Sequence, residues 1–194
     1  TTTTLNIWCW TGADGPLKVS DPLYKADVAD RFVRAMQRQG LPFAADFNAG
    51  TLRGVGYMQT TTYRGQRCSA ADAFLAPVMS DPLLSLVTQA NVHRIIFEGE
   101  RAVGVEYTAG GKLVQARASS EVIVCAGAFA TPKLLMMSGI GPAAHLREHG
   151  VEVRVDSPGV GENLQDHNVA VVSMTTHGQH GYFGEDRGAR ALWN

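Results

Sequence analysis

Three short strand patterns separated by two glycine turns constrain the fold of this chain more than any other feature. The segments VHRIIFE, AVGVEYT and KLVQARA are rich in β-branched residues, and only EGER and AGGK connect them. Connections this short join neighbouring antiparallel strands, because parallel strands need a long crossover. We therefore expect a three-stranded antiparallel meander over residues 92–118.

A continuous apolar run, EVIVC at residues 121–125, follows the meander. Runs of this kind are typical of strands buried on both faces of a parallel sheet. Helix patterns at 131–138 and 142–149 and a strand pattern at 151–155 come next. This order predicts an α/β fold in which a parallel sheet accompanies the meander. Two further strand patterns, LLSLVT and VAVVSMT, occupy residues 83–88 and 169–175.

The residues before position 84 mix helix and strand signals. We predict a helix that begins with Asp21 as N-cap and Pro22 as its first residue and ends at Gly40. Its apolar residues share one face: Val28, Phe32, Val33 and Met36.

Two strand patterns, at residues 16–20 and 57–63, flank this helix. Ser69 and Asp72 then have the spacing of a capping box, which predicts that a helix starts there and covers residues 71–78.

Composition narrows the classes of function. With 45% hydrophobic and 18% charged residues, the 194 residues can bury a sizeable core. Seventeen basic against eighteen acidic residues, without a basic run, argue against a nucleic-acid partner and favour a small molecule. Cys9, Cys68 and Cys125 form no C-x-x-C pair, which favours a reducing, cytoplasmic compartment. No apolar stretch has the length of a membrane span.

Small residues crowd the segment GAFATPKLLMMSGIG at residues 127–141. A strand that turns directly into a helix at Gly127 would let a ligand lie against bare backbone at the carboxyl edge of a parallel sheet. Alternatively, Gly127 only permits a tight turn, while Gly139 and Gly141 end the helix. The residue pattern by itself leaves both interpretations open.

The pairs GA, TP and LL and the final SGIG of this segment resemble the second signature of the glucose-methanol-choline (GMC) oxidoreductases, a family of FAD-dependent alcohol oxidases and dehydrogenases. Four more blocks resemble the family in its order and spacing: GQRCSAADAFLAP, VHRIIFEGERAVGVEY, EVIVCAGA and PGVGENLQDH. The resemblance covers residues 12–193 and is closest to the choline dehydrogenase-like branch. Agreement of five blocks is far more specific than a single glycine motif.

The resemblance implies an FAD-binding domain, with a parallel sheet and a three-stranded antiparallel meander, interleaved with a substrate domain built on an antiparallel sheet. Residues 1–83 would be mostly substrate-domain segments, 84–167 part of the FAD-binding domain, and 168–194 a return into the substrate domain. It also implies that FAD is the cofactor. The main chain of Val92 would hold the adenine, and Ala126 and Gly127 would lie near the adenosine and pyrophosphate.

The implied reaction is oxidation of the CH–OH group of an alcohol by hydride transfer to the flavin, with oxygen or a dye- or quinone-like electron acceptor. The family's G-x-G-x-x-G motif and late catalytic histidine have no counterpart in the sequence. We therefore assign no catalytic residue and expect a central fragment of a longer polypeptide, inactive alone and dependent on the rest of its parent. The alternative is a non-catalytic or redox-dead binding module.

The segment HLREH fits the H-x-x-E-H pattern of inverted zinc proteases, which gives a third hypothesis, a zinc hydrolase using His145, Glu148 and His149. The ordinary interpretation is that His149 ends a helix just before Gly150, where a polar or cationic residue is favourable. We therefore expect no metal site in the chain. For His177 and His180 we expect a solvated loop, and for His167 a packing or hydrogen-bonding role.

Overall fold

The computed structural model describes residues 15–50, 52–175 and 177–178. Cys9 and His180 lie outside these ranges. The chain divides into two compact units, Thr1–Leu84 with Val172–Asn194, and Ser85–Val171. Their assignment to a substrate domain and an FAD-binding domain stays a prediction. In the described part of the chain, every helix is too short or too polar to cross a membrane.

The first unit contains helix α1, Asp27–Arg38. The predicted apolar stripe is only partly correct, because Val33 is buried but Phe32 is 60% exposed. The predicted start at Asp21 is wrong. Ala26 has extended backbone angles immediately before the helix, and the Asp21 carboxylate instead accepts a hydrogen bond from Gln59.

The strands of the first unit are short. Strand β1, Thr62–Tyr63, pairs with β2, Gln66–Arg67, in an antiparallel hairpin. Of the predicted strand at 57–63, only this end and a bridge from Thr60 to Ser20 form, and that bridge is all that remains of the strand predicted at 16–20.

The capping box is confirmed. Asp72 Oδ2 accepts hydrogen bonds from the Ser69 N–H and hydroxyl at 2.9 and 2.6 Å, and the Asp72 N–H donates to Ser69 Oγ at 3.2 Å. These hydrogen bonds from Ser69 lower the pKa of Asp72. The helix that follows is a π-helical turn, Ala71–Leu75, continued by a 3-10 turn, Ala76–Val78.

The second unit is built on the predicted meander. Strands β3, Asn91–Glu98, β4, Arg101–Ala109, and β5, Lys112–Arg117, pair antiparallel in that order. Ile95 and Val103 are buried. All six residues of β5 are exposed, so β5 is a solvent-facing edge of this sheet.

Residues 127–156 supply the remaining helices and strands of the second unit. Helix α2, Gly127–Met137, is followed by β6, Ile140–Gly141, α3, Ala143–Glu148, and β7, Val155–Asp156. Strands β6 and β7 are parallel. An α/β fold that combines an antiparallel meander with parallel pairing is therefore confirmed. The strand predicted at 151–155 shrinks to its last residue and the one after it.

Three predicted strands, at residues 83–88, 121–125 and 169–175, are wrong. The structure shows these segments without strand pairing. Ile123 is 74% exposed and Val171 80% exposed. An apolar run becomes a strand only when another strand lies beside it to accept its backbone hydrogen bonds, and the described residues place none there.

Candidate functional site

Helix α2 is anchored to the meander at its carboxyl end. The Ile95 N–H on β3 donates to Ser138 Oγ at 2.9 Å, and the Ser138 hydroxyl donates to the Leu134 carbonyl at 2.6 Å. Ser138 and Ile95 are both buried. Because this one hydroxyl joins a strand backbone to a helix backbone, it fixes the position of α2 against β3.

The chain itself fills the space around the glycines that follow α2. A Cβ at Gly139 would lie 2.6 Å from the Glu152 carbonyl oxygen, and one at Gly141 would lie 2.8 Å from Met136 Cγ. The Arg154 N–H also donates to the Gly139 carbonyl at 2.8 Å. Gly139 directly follows the C-cap residue Ser138 at a φ of +87° and ends α2, as the second interpretation proposed, whereas Gly141 lies in β6; the chain packs closely against both glycines.

The opposite end of α2 is open. Ala126, the N-cap residue, makes no side-chain capping hydrogen bond. Gly127 has a φ of +82°, and no neighbouring atom lies within 4 Å of where its Cβ would be. Both residues are exposed. Space beside bare backbone, expected from the first interpretation, therefore exists at Gly127 and not at the other two glycines.

A shallow groove of about 580 Å³ runs along one face of α2. Its walls come from α2 and from the loop at residues 161–165, and the residues lining it are Ala128, Phe129, Pro132, Lys133, Met136, Gly161, Glu162, Asn163, Leu164 and Gln165. Pro132 has no N–H, so the Ala128 carbonyl at the groove lacks its usual helical donor. Met136 Cε lies 3.6 Å from the Cβ position of Gly161, so these two lining residues approach each other across the groove.

Val92 lies on β3 opposite Tyr107 and is 40% exposed. The sheet register shifts between Val92 and Arg94, where His93 is inserted. His93 Nε2 lies 2.6 Å from Thr108 Oγ1. Within this sheet β3 pairs only with β4. On the opposite edge of β3, the backbone N–H of Ile95 donates to Ser138.

A row of three polar side chains braces the meander next to Val92. Arg94, Glu106 and Gln115 are direct partners across the three strands. Arg94 donates two hydrogen bonds to Glu106, at 2.9 and 3.0 Å, and Gln115 donates a third at 3.0 Å. The hydrogen bonds from Arg94, then that from Gln115, lower the pKa of Glu106 to about 2. The opposite charges of Arg94 and Glu106 on predicted neighbouring strands were a partial signal, but the sequence does not show that they lie directly opposite each other, and the row was not predicted.

The structure places all three predicted cofactor residues in the second unit. Val92 is on β3, while Ala126 and Gly127 begin α2, and these two elements pack against each other through the Ile95–Ser138 hydrogen bond. His167 is exposed, and its backbone N–H donates to Asp166 Oδ1 at 2.7 Å.

The sequence pattern of the GMC oxidoreductases matches residues 3–169, most of the chain. The chain belongs to the GMC oxidoreductase family. This confirms the resemblance read from its sequence blocks.

Curated relatives include oxygen-dependent choline dehydrogenases. Those of Rhizobium meliloti (strain 1021) and Sinorhizobium medicae (strain WSM419) are 46% and 47% identical to this chain over 158 residues. In both comparisons 81% of this chain is covered, and it spans 29% of the relative's length.

Solved structures of oxidoreductases are also similar to this chain. An FAD-dependent oxidoreductase from Chaetomium thermophilum has a TM-score of 0.74 at 35% identity, covering 80% of this chain and 27% of that protein. A pyridoxine 4-oxidase from Mesorbium loti has a TM-score of 0.70 at 34% identity, covering 76% and 29%. A formate oxidase has a TM-score of 0.70 at 36% identity, covering 80% and 27%.

Proposed function

We propose that this chain is part of an FAD-dependent oxidoreductase that oxidises the CH–OH group of a small alcohol. Membership of the GMC family and the similar choline dehydrogenases and oxidases support this reaction class. The structural observation that carries the proposal is the open Ala126–Gly127 turn at the start of α2. Choline is the first alcohol to test, because it is the substrate named for the similar dehydrogenases.

The residues of this turn fit the diphosphate-bearing half of FAD. The first N–H groups of a helix have no intrahelical acceptor, and α2 has no capping side chain to supply one. Phosphate oxygens accept hydrogen bonds from such groups. Gly127 adds no side chain, and nothing occupies the space beside it. Ala126 and Gly127 are thus proposed to lie against the adenosine and pyrophosphate.

Val92 is proposed to hold the adenine through its main chain. A strand edge offers an N–H donor and a C=O acceptor, which suit the two kinds of group on the edge of an adenine ring. The hydrogen bond between Ile95 and Ser138 holds this strand rigidly against α2, and the Arg94–Glu106–Gln115 row fixes its register.

FAD bound at this turn would supply the acceptor for the hydride of the alcohol carbon. The described residues orient the nucleotide end of FAD in this proposal, and we assign none of them as the base that removes the hydroxyl proton. Electrons would leave to oxygen or to a dye- or quinone-like acceptor. The inactivity of this chain by itself stays a prediction.

The test compares Gly127→Ala with Gly127→Leu in the purified full-length enzyme. Both variants place a side chain at a positive φ and share that backbone strain, and neither side chain meets a protein atom at its Cβ. We expect similar unfolding midpoints for the two, with flavin retention lower for Gly127→Leu than for Gly127→Ala. Equal retention of flavin would contradict a cofactor beside Gly127.

A second pair of variants, also made in the full-length enzyme, tests the role of Val92. Val92→Ala removes only packing from a half-exposed side chain, whereas Val92→Pro also deletes the N–H. Flavin absorption per protein should fall only for Val92→Pro, with far-ultraviolet circular dichroism as the control for folding. Flavin that stays bound but is not bleached by choline or other small alcohols would favour the non-catalytic binding module.

A further inference from the structure

Helix α3 presents two imidazoles and a carboxylate on one exposed face. Leu146, which is 2% exposed, buries the neighbouring face in the core of the second unit. His145, Glu148 and His149 are all exposed, and one ligand atom from each lies within 4.8 Å of the other two. The ring centroids of the two histidines are 4.6 Å apart.

Hydrogen bonds donated by backbone N–H groups hold this helix in place. The Ala143 N–H at the start of α3 donates to Asp156 Oδ1 at 2.9 Å. At the other end, the His149 N–H donates to the His145 carbonyl at 3.2 Å, and the Val151 N–H donates to the Leu146 carbonyl at 2.9 Å. The short helix therefore does not have to form when a ligand binds, and only side-chain rotations are needed.

We infer that His145, Glu148 and His149 form a binding site for a divalent transition-metal ion, of which Zn²⁺ is the representative. Two imidazole nitrogens and a carboxylate oxygen are donors that suit Zn²⁺, Ni²⁺ and Cu²⁺, whereas Mg²⁺ and Ca²⁺ prefer sets of oxygen ligands. Three protein ligands leave room for water in the remaining coordination positions. The carbonyls at the carboxyl end of a helix also favour a nearby cation.

This inference departs from the expectation that the chain has no metal site. His149 ends helix α3 as its C-cap residue, as the sequence predicted. The structure also brings its ring beside that of His145. The two roles are compatible, because the cap uses the backbone of His149 and the metal would use its ring. We do not extend the site to the zinc hydrolase hypothesis, since all three ligands are exposed on a surface.

Calorimetric titration with Zn²⁺ tests the site, using protein purified through a histidine-free tag in buffer without chelator. We expect one Zn²⁺ per cluster in the unmutated protein and no heat of binding with Mg²⁺. Replacing even a residue that only supports a metal ligand costs roughly 10–100-fold in affinity. His145→Ala and His149→Ala should therefore each weaken Zn²⁺ binding at least about tenfold, and Glu148→Gln should also weaken it.

The matched control is His167→Ala, which removes an exposed histidine that is not in the cluster. This variant should bind Zn²⁺ as the unmutated protein does. Zn²⁺ should also raise the melting temperature of the unmutated protein and of the control, but not that of the His145→Ala/His149→Ala double variant, because only binding to the folded state stabilises it. Unchanged Zn²⁺ affinity in the double variant, or no saturable binding by the unmutated protein, would overturn the inference.

Discussion

The two ends of α2 carry glycines with nearly the same backbone conformation in opposite surroundings. Gly127 has a φ of +82° and Gly139 a φ of +87°. The Glu152 carbonyl crowds Gly139, whereas the space beside Gly127 is free of neighbouring atoms. Both glycines avoid the strain of a side chain at positive φ, but only one of them also makes room for the chain itself. The spacing of small residues alone cannot distinguish a packing glycine from one that leaves room for a ligand.

Gly139→Ala should have the largest effect on stability. An alanine at this positive φ costs roughly 1–2 kcal/mol, and overpacking against a backbone carbonyl, which cannot swing aside, adds about 1–3 kcal/mol. Denaturant unfolding followed by circular dichroism measures the sum. A loss no larger than that of Gly127→Ala would remove the contrast between the two ends of α2.

Ser138→Ala should have the next largest effect. It leaves the buried Ile95 N–H without the hydroxyl that accepts its hydrogen bond. An unsatisfied buried donor costs about 1–3 kcal/mol. Hydrogen exchange at the Ile95 amide should accelerate more in this variant than exchange at the amides that pair β4 with β5. Unchanged exchange at Ile95 would show that α2 is held against β3 by other contacts.

Gly127→Ala should be milder, because only the backbone strain applies. An L-residue in the left-handed region costs roughly 1–2 kcal/mol, and the added methyl group meets no atom. Denaturant unfolding of Gly127→Ala and Gly139→Ala under the same conditions compares the two losses of stability. A destabilisation equal to that of Gly139→Ala would mean that Gly127 is crowded as well.

Glu106→Gln should leave the fold intact and change the pH dependence of stability. The pKa of Glu106 falls from 4.5 to about 2 in the folded state. The carboxylate therefore stabilises the fold above pH 4.5, and this contribution is lost as the pH falls toward 2. Between pH 2 and 4.5 the unmutated protein takes up a proton at Glu106 when it unfolds. Glu106→Gln has no carboxylate there and should take up about one proton fewer.

Unfolding midpoints measured at several pH values between 2 and 6 would show the difference. Gln115→Ala is the matched comparison, because it removes the weaker of the two contacts and keeps the carboxylate. An identical pH dependence of Glu106→Gln and the unmutated protein would contradict the lowered pKa.

Sequence analysis succeeded where neighbouring residues determine the structure. The turns at Gly99 and Gly110 force β3, β4 and β5 to pair with their immediate neighbours, and the Ser69–Asp72 capping box needs only four residues. It failed where pairing depends on a distant segment. The run at residues 121–125 has the right composition for a buried strand, yet hydrophobicity does not specify which strand will lie beside it.

The candidate site was predictable to a similar extent. The residue pattern left two interpretations of Gly127 open, the family resemblance favoured a cofactor beside it, and its open surroundings became visible only in the fold. The Arg94–Glu106–Gln115 row depends on the register of three strands, and the irregularity between Ile96 and Phe97 shifts that register by one residue between the turn and Arg94. A sequence pattern does not reveal such a shift, so the row could not be aligned in advance.

The exposed edge strand β5 has a consequence for the behaviour of the protein in concentrated solution. Unpaired strand edges invite a second chain to add to the sheet, and this is a common route to aggregation. Leu113 and Val114 on β5 are both exposed and apolar. Lys112 places a positive charge at one end of the strand, while Arg117 at the other end is paired with Glu98 at 2.7 Å. A second copy docking antiparallel in register would bring the Lys112 ammonium of each copy beside the Arg117 guanidinium of the other, so Lys112 protects the edge against self-association.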